Sequence, residues 1–237
     1  MTSHMPTRRS VMTAALASVA LTACSSAKKS DSNASSGEDV TKRLKAAQDK
    51  IGKTSGYHTK VTCSAAPKDE PALKAGEGDV VNSPAAFKGD VTASTQGNEI
   101  KAGIISIGDK NWVKPSFSPK YLTVNLKSLG VPSPTSLFNA TSGIPAMPLM
   151  SKDMKRSGEK LVGGEKVTTY KGTLDGPSAA KAMGFGKTRG DYTVEVGLTD
   201  SDELRTMIIT GPFFDSADAT YTIDISKYDQ KVDIKQP

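Results

Sequence analysis

Few residues in this chain are placed for covalent chemistry, and the strongest candidate is a cysteine near its start. Leu21-Thr22-Ala23-Cys24 has the order of a bacterial lipobox: leucine, a small residue, alanine, cysteine. The chemistry it implies is thioether formation. The Cys24 thiol takes a diacylglyceryl group, and cleavage before it makes Cys24 the first mature residue. The flanks agree: Arg8 and Arg9 form a positive start, residues 11–23 an apolar run, and a Ser/Lys/Asp-rich stretch follows. That run is too short for a spanning helix, which needs about 20 residues. Residues 1–23 therefore read as a lipoprotein signal peptide. Thr7-Arg8-Arg9-Ser10 offers a twin-arginine export signal; an ordinary Sec signal is the competing reading. Stable anchoring takes two chains, and a diacylglyceryl cysteine supplies both. The expected location is the cell membrane, lipid-anchored on its extracytoplasmic face.

Other reactive groups are sparse. Histidine occurs only at His4 and His58. Any Ser-His-Asp or Cys-His arrangement has to use His58, which falls on the polar face of a predicted strand. No Cys/His spacing suits zinc. Asp200-Ser201-Asp202-Glu203 lacks the calcium-hand pattern and reads as a hairpin turn. Gly186-Lys187-Thr188 has Lys181 where a phosphate loop needs its first glycine. With Cys24 acylated, Cys63 has no intramolecular disulfide partner. It shares strand parity with Tyr57 and Val61, which favours a small buried hydrophobe over a reactive thiol. Neither an enzyme nor a cofactor or metal is expected. Loss of Arg8 and Arg9 leaves 29 Lys and Arg against 25 Asp and Glu, spread along the chain. That is no clustered basic face for nucleic acid.

The elements that must position any site follow from hydrophobic spacing. Residues 25–38 lack periodicity and read as a flexible tether of about 20 Å reach. With Cys24 they make a 24–38 segment, and 39–237 reads as a single domain. Val40, Leu44, Ala47 and Ile51 recur at helical spacing with Lys42, Arg43, Lys45 and Asp49 opposite. They predict one amphipathic helix of about three turns, capped by Ser36 or Asp39 and stopped by Gly52 and Gly56. From Tyr57 the period changes to two. Alternating runs and short polar turns through Val113, with a Pro/Lys/Gly loop ahead of a strand at residues 78–81, predict an antiparallel meander. Residues 114–156 hold six prolines among apolar clusters and predict short helices and loops. Such a segment has to lie against something apolar. Strands resume over 155–161, 166–174, 194–198, 204–210 and 221–225, with a short helix at 177–183 and a last strand at Val232 and Ile234. The predicted class is α+β: nine or ten antiparallel strands in one curved sheet, its apolar face covered by the leading helix and the middle segment. Residues alone leave open whether that cover packs solid or leaves a cavity lined by aliphatic side chains.

The mature chain also resembles the LppX/LprA/LprF/LprG family of actinobacterial lipoproteins, with LprG-like members nearest in pattern. Residues 78–86 followed by Gly89-Asp90-Val91 are similar to the family's early hairpin, and 107–112 to its next turn. Residues 139–144, then 153–159 through Gly163-Gly164 and Thr168, resemble its central insert and returning strand. Leu204 and residues 225–232 complete the match. Order and spacing carry it, since no one motif is specific. The resemblance implies a LolA-like open half-barrel with helices on its concave face. It implies a hydrophobic cavity for the acyl chains of glycolipids or triacylglycerol, carried between envelope layers, with a lipid-export membrane protein as candidate partner. Strand-face logic and family position together single out Val91, Ala93, Ile104, Leu126, Leu129, Leu137, Phe138, Ile144, Met147 and Leu149 as pocket residues. A core role competes for each. Phe213 and Phe214 make an apolar loop that offers a rim for the bilayer. The competing function is an envelope lipoprotein that uses the same fold for protein–protein interaction or signalling.

Overall fold

The structure, a computed structural model, describes residues 37–95 and 97–237. The expected signal peptide, Cys24 and nearly all of the tether lie outside the described residues. Among those described, no helix is long and apolar enough to cross a membrane.

The chain opens with α1 (Gly37–Lys53), whose buried residues are Val40, Leu44, Ala47 and Ile51. The 3.6-residue period puts these four on one stripe, and burying each of the three larger ones stabilises the fold by roughly 1.5–3 kcal/mol. Asn82 closes the far end of the helix: its Nδ2 donates to the Ile51 and Thr54 carbonyls at 2.7 and 2.8 Å. Arg43 fixes the near end. Its guanidinium donates to Asp202 Oδ1 at 2.6 Å, Tyr170 Oη at 3.0 Å and the Thr199 carbonyl.

Eleven strands follow: β1 (Gly56–Ser64), β2 (Ala72–Asn82), β3 (Ala85–Thr95), β4 (Asn98–Ile107), β5 (Lys110–Pro115), β6 (Leu122–Thr123), β7 (Lys152–Val162), β8 (Glu165–Asp175), β9 (Asp191–Leu198), β10 (Leu204–Gly211) and β11 (Ala219–Ser226). They form one antiparallel sheet in the order β6-β5-β4-β3-β2-β1-β11-β10-β9-β8-β7. Two meanders are joined where β1 pairs with β11, Thr59 opposite Ile225. The sheet does not close, so the expected LolA-like open half-barrel of class α+β is what forms.

This topology dictates the middle of the chain. β6 and β7 are consecutive in sequence yet lie at opposite edges, ten inter-strand steps of roughly 4.8 Å apart. The residues between them have to cross a face of the sheet. They do so as a 3-10 turn (Leu126–Leu129), α2 (Pro134–Leu137), a second 3-10 turn (Ile144–Ala146) and α3 (Met147–Met150). Proline at the first or second position starts three of these four pieces and keeps each one short. α2 meets β3 and β4, and α3 meets β8 and β9, so the crossing is complete. After β8, α4 (Gly176–Met183) is capped by Asp175, whose carboxylate accepts from the Ser178 amide at 3.0 Å.

Three expectations are corrected. β2 begins at Ala72, where Pro, Lys and Gly suggest a loop. The middle segment contains the two-residue β6 and the start of β7. Residues 227–237 form no strand, so Val232 and Ile234 do not extend the sheet.

Candidate functional site

The centre of the sheet supplies the floor of an apolar cavity of about 50 Å³. β1 is the sixth strand of eleven, and its alternation turns Tyr57, Thr59 and Val61 inward and His58 and Lys60 outward. Leu73 and Gly76 of β2, Val91 of β3, Ile209 of β10 and Tyr221 and Ile223 of β11 extend the floor. The roof is Pro134, Leu137, Phe138 and Ile144 from the crossing segment, with Met183 and Phe185 from the end of α4. Phe87 of β3 stacks on Phe138 at 6.1 Å between ring centres, joining floor to roof. Gly78 and Gly89 lie opposite each other beneath that ring. A Cβ on Gly78 would fall 2.7 Å from the Gly89 Cα and from Phe87, so only glycine lets the ring lie there.

The lining is mostly apolar; its polar residues are Thr59, Tyr221 and Glu77, and the Glu77 carboxylate is taken by His58 Nε2 on the outer face at 3.1 Å. Thr59 is 1% exposed, and its Oγ1 has no hydrogen-bond partner among the described residues. Its cross-strand partners, Gly78 and Ile225, carry no polar side-chain atom. Thr54, Thr169 and Thr199 are comparably buried, and each has a partner. The Tyr221 hydroxyl is satisfied by the Leu73 carbonyl at 2.9 Å. Burial holds both its phenol and that of Tyr57 well above the usual range, so both stay neutral.

The candidate pocket residues from sequence divide. Val91, Leu137, Phe138 and Ile144 border the cavity. Ile104 and Met147 are buried in the surrounding core, and Leu149 packs against it. Ala93 is half-buried further along β3, and Leu126 is buried beneath its own turn. Leu129 is 65% exposed. Sequence reasoning missed Thr59, Phe87, Ile209, Tyr221 and Ile223. The parity that pointed to Tyr57 and Val61 also includes Thr59. The β1–β11 pairing that brings Tyr221 and Ile223 beside it joins residues some 160 positions apart, which no local pattern announces.

The groups singled out for chemistry lie elsewhere. His58 is on the outer face, its Nδ1 2.7 Å from Asp79 and its Nε2 3.1 Å from Glu77. Both ring nitrogens are taken by carboxylates, which leaves neither for a hydroxyl or thiol nucleophile. Cys63 is partly buried beside the core, and burial raises its thiol pKa, so thiolate is scarce at neutral pH. Phe213 and Phe214 are 4% and 7% exposed. Phe213 packs edge-on against Tyr192 and Tyr221, so the pair is core and does not form a rim for the bilayer. Among the described residues no group of three His, Cys, Asp or Glu is placed to hold a metal.

Comparison with known proteins agrees with the architecture. LprF from Mycobacterium bovis aligns at 15% identity over 84% of this chain and 97% of its own, with a TM-score of 0.69. LppX from Mycobacterium tuberculosis aligns at 15% identity over 84% of this chain and all of its own, with a TM-score of 0.64. At that identity the likeness speaks for the fold alone. No curated protein sequence matches. The profile of the LppX_LprAFG lipoprotein family matches residues 39–234, nearly the whole described domain, and the chain belongs to that family.

Proposed function

We propose that this protein is a membrane-anchored, non-enzymatic carrier that holds the acyl chains of a glycolipid or triacylglycerol between its sheet and the crossing segment. It would be tethered through Cys24 on the extracytoplasmic face and move its cargo between envelope layers. The observation that carries the reading is the cavity: apolar, central, and roofed by a segment built of short pieces. Pockets that enclose small ligands measure about 300–1,000 Å³. At about 50 Å³ this one is closed down, so loading requires the roof to lift from the floor. The Phe87–Phe138 stack is where they separate. The roof is suited to that movement, because its two helices have four residues each and are held by packing more than by long hydrogen-bonded runs. The positions of His58 and Cys63 support a role without catalysis.

The test is native mass spectrometry of residues 25–237, gently purified from a lipid-containing host, with and without added triacylglycerol or glycolipid. Long-chain lipid at one molecule per chain is expected. If none co-purifies and none binds on addition, the carrier reading is wrong. Gly76→Leu sharpens the test. A Cβ at Gly76 meets only Val91 Cγ1 at 3.5 Å and the Asp90 carbonyl at 3.7 Å, both ordinary contacts. The added side chain therefore enters the cavity, and bound lipid should fall severalfold in a folded protein.

A further inference from the structure

One edge of the sheet differs from the rest of the surface. From Lys110 to Lys152 the chain has five lysines and no Asp or Glu. The average spacing of 25 acids in 237 residues would put four or five there. Lys110, Lys120 and Lys127 are exposed, and Lys114 lies over the Tyr121 ring. Among the described residues none of these four has an acidic partner. The same stretch carries five of the seven large apolar side chains that stand exposed among the described residues. Phe117 is 83% exposed, and Leu122, Leu129, Val131 and Met150 are the others.

These side chains are held on formed turns. The β5–β6 connection is closed by the Ser118 amide donating to the Pro115 carbonyl at 2.9 Å, and Phe117 sits at its tip. The Ser116 amide donates to the Lys101 carbonyl of β4 at 2.9 Å, which sets that tip beside the sheet edge. The next turn is capped by Asn125 and ended by Gly130 at φ +69°. The Val131 amide returns to the Leu126 carbonyl at 3.0 Å. Buried Leu126 anchors this turn, and Leu129 stands out from it. Phe117, Leu122 and Leu129 each have a lysine within three residues.

We propose that this edge docks onto the surface of an anionic bilayer, with Phe117 and Leu129 entering the headgroup boundary and Lys110, Lys114, Lys120 and Lys127 meeting lipid phosphates. Separate apolar tips ringed by lysines suit a fluid interface, where long cationic side chains reach back to the headgroups. From Lys110 to Val131, the part of the stretch at this edge, there is no acid for an anionic surface to repel. The inference does not depend on what the cavity holds. It assigns the face that the domain turns to the membrane.

Vesicle co-sedimentation of residues 25–237, which lack the acylated cysteine, tests it. Vesicles of phosphatidylglycerol with phosphatidylcholine should bind the protein, pure phosphatidylcholine should bind it far less, and 0.5 M salt should release it. Lys120→Glu with Lys127→Glu should weaken binding to the anionic vesicles by on the order of tenfold or more. Phe117→Ser with Leu129→Ser should weaken it too, and because all four side chains are solvent-facing the thermal unfolding midpoint should stay put. Equal binding to both vesicle types, no binding to either, or double variants that bind like the parent would each overturn the assignment.

Discussion

Thr59 is the residue where sequence and environment disagree most. A buried hydroxyl without a partner costs about 1–3 kcal/mol, and this one lies at the middle of the central strand beside an apolar cavity. Valine has the same shape and no hydroxyl. Thr59→Val should therefore raise the unfolding free energy of the lipid-free domain by about 1 kcal/mol in urea titration, where most buried substitutions lower it. A destabilised variant would mean that the hydroxyl has a structural partner after all. Asp79 makes the opposite case on the outer face. Partial burial alone would raise its pKa, yet hydrogen bonds from His58 and Gln230 prevail and hold it below the usual carboxylate range. A depressed acid stabilises the fold above its unfolded pKa, and the contribution is lost as pH falls through the folded value. The stability gap between parent and Asp79→Asn should shrink as pH falls below about 4 and through the folded value. A gap that stays the same as pH falls from about 4 to about 2 would assign the effect to packing.

At the scale of elements, α1 shows what pattern alone can specify. Its stripe of Val40, Leu44, Ala47 and Ile51 was legible in the sequence residue for residue, because a 3.6 period is local. So was α4, from proline at its start. The strands were legible as strands, through turns at Gly163-Gly164 and Asp200-Ser201-Asp202. Their order was not, since the β1–β11 pairing is set by which faces must be buried together and not by any nearby residue. β2 was under-read because Gly76 and Gly78 hide its alternation, and those glycines are what the close approach of Phe87 requires. The pocket followed the same division. Leu137, Phe138 and Ile144 were legible as apolar residues in a segment that had to be covered. Leu129 was indistinguishable from them in sequence, but it sits at the apex of a turn. What holds α1 down was not legible either. Arg43 was read as part of the solvated side, yet it reaches three acceptors on the β8 and β9–β10 side of the sheet. Lysine cannot match that fork. Arg43→Lys should cost about 2 kcal/mol, discounted for partial exposure. Lys45→Ala, which removes an exposed pair with Asp49, should cost under about 0.5 kcal/mol. Equal losses in urea titrations would refute the distinction.

For the whole molecule, the open sheet, the crossing segment and the proposed anchor answer one geometrical problem. A chain that ends one meander at β6 and must start the next at the opposite edge cannot avoid roofing its own sheet, and the roof encloses apolar floor. That leaves a cavity whose access is governed by how firmly the roof is held, and a surface edge, next to where the crossing begins, whose turns carry Phe117 and Leu129. An acyl anchor at Cys24 would keep the domain near the bilayer through a tether of roughly 20 Å reach joined to α1, which packs against β7 and β10, so contact of the edge with lipid becomes an intramolecular event at raised effective concentration. Anchor and edge should then act in series. Cys24→Ala should leave the fold and lipid binding in solution unchanged. In cells it should move most of the protein from the membrane fraction to the soluble one, with a remnant that high salt removes. Adding Lys120→Glu and Lys127→Glu to Cys24→Ala should abolish that remnant, whereas the same two changes in the acylated protein should leave it membrane-bound but slower to load lipid. Loading rates equal to the parent's in the acylated charge-reversed protein would show that the tether alone suffices and that the edge has no part in transfer.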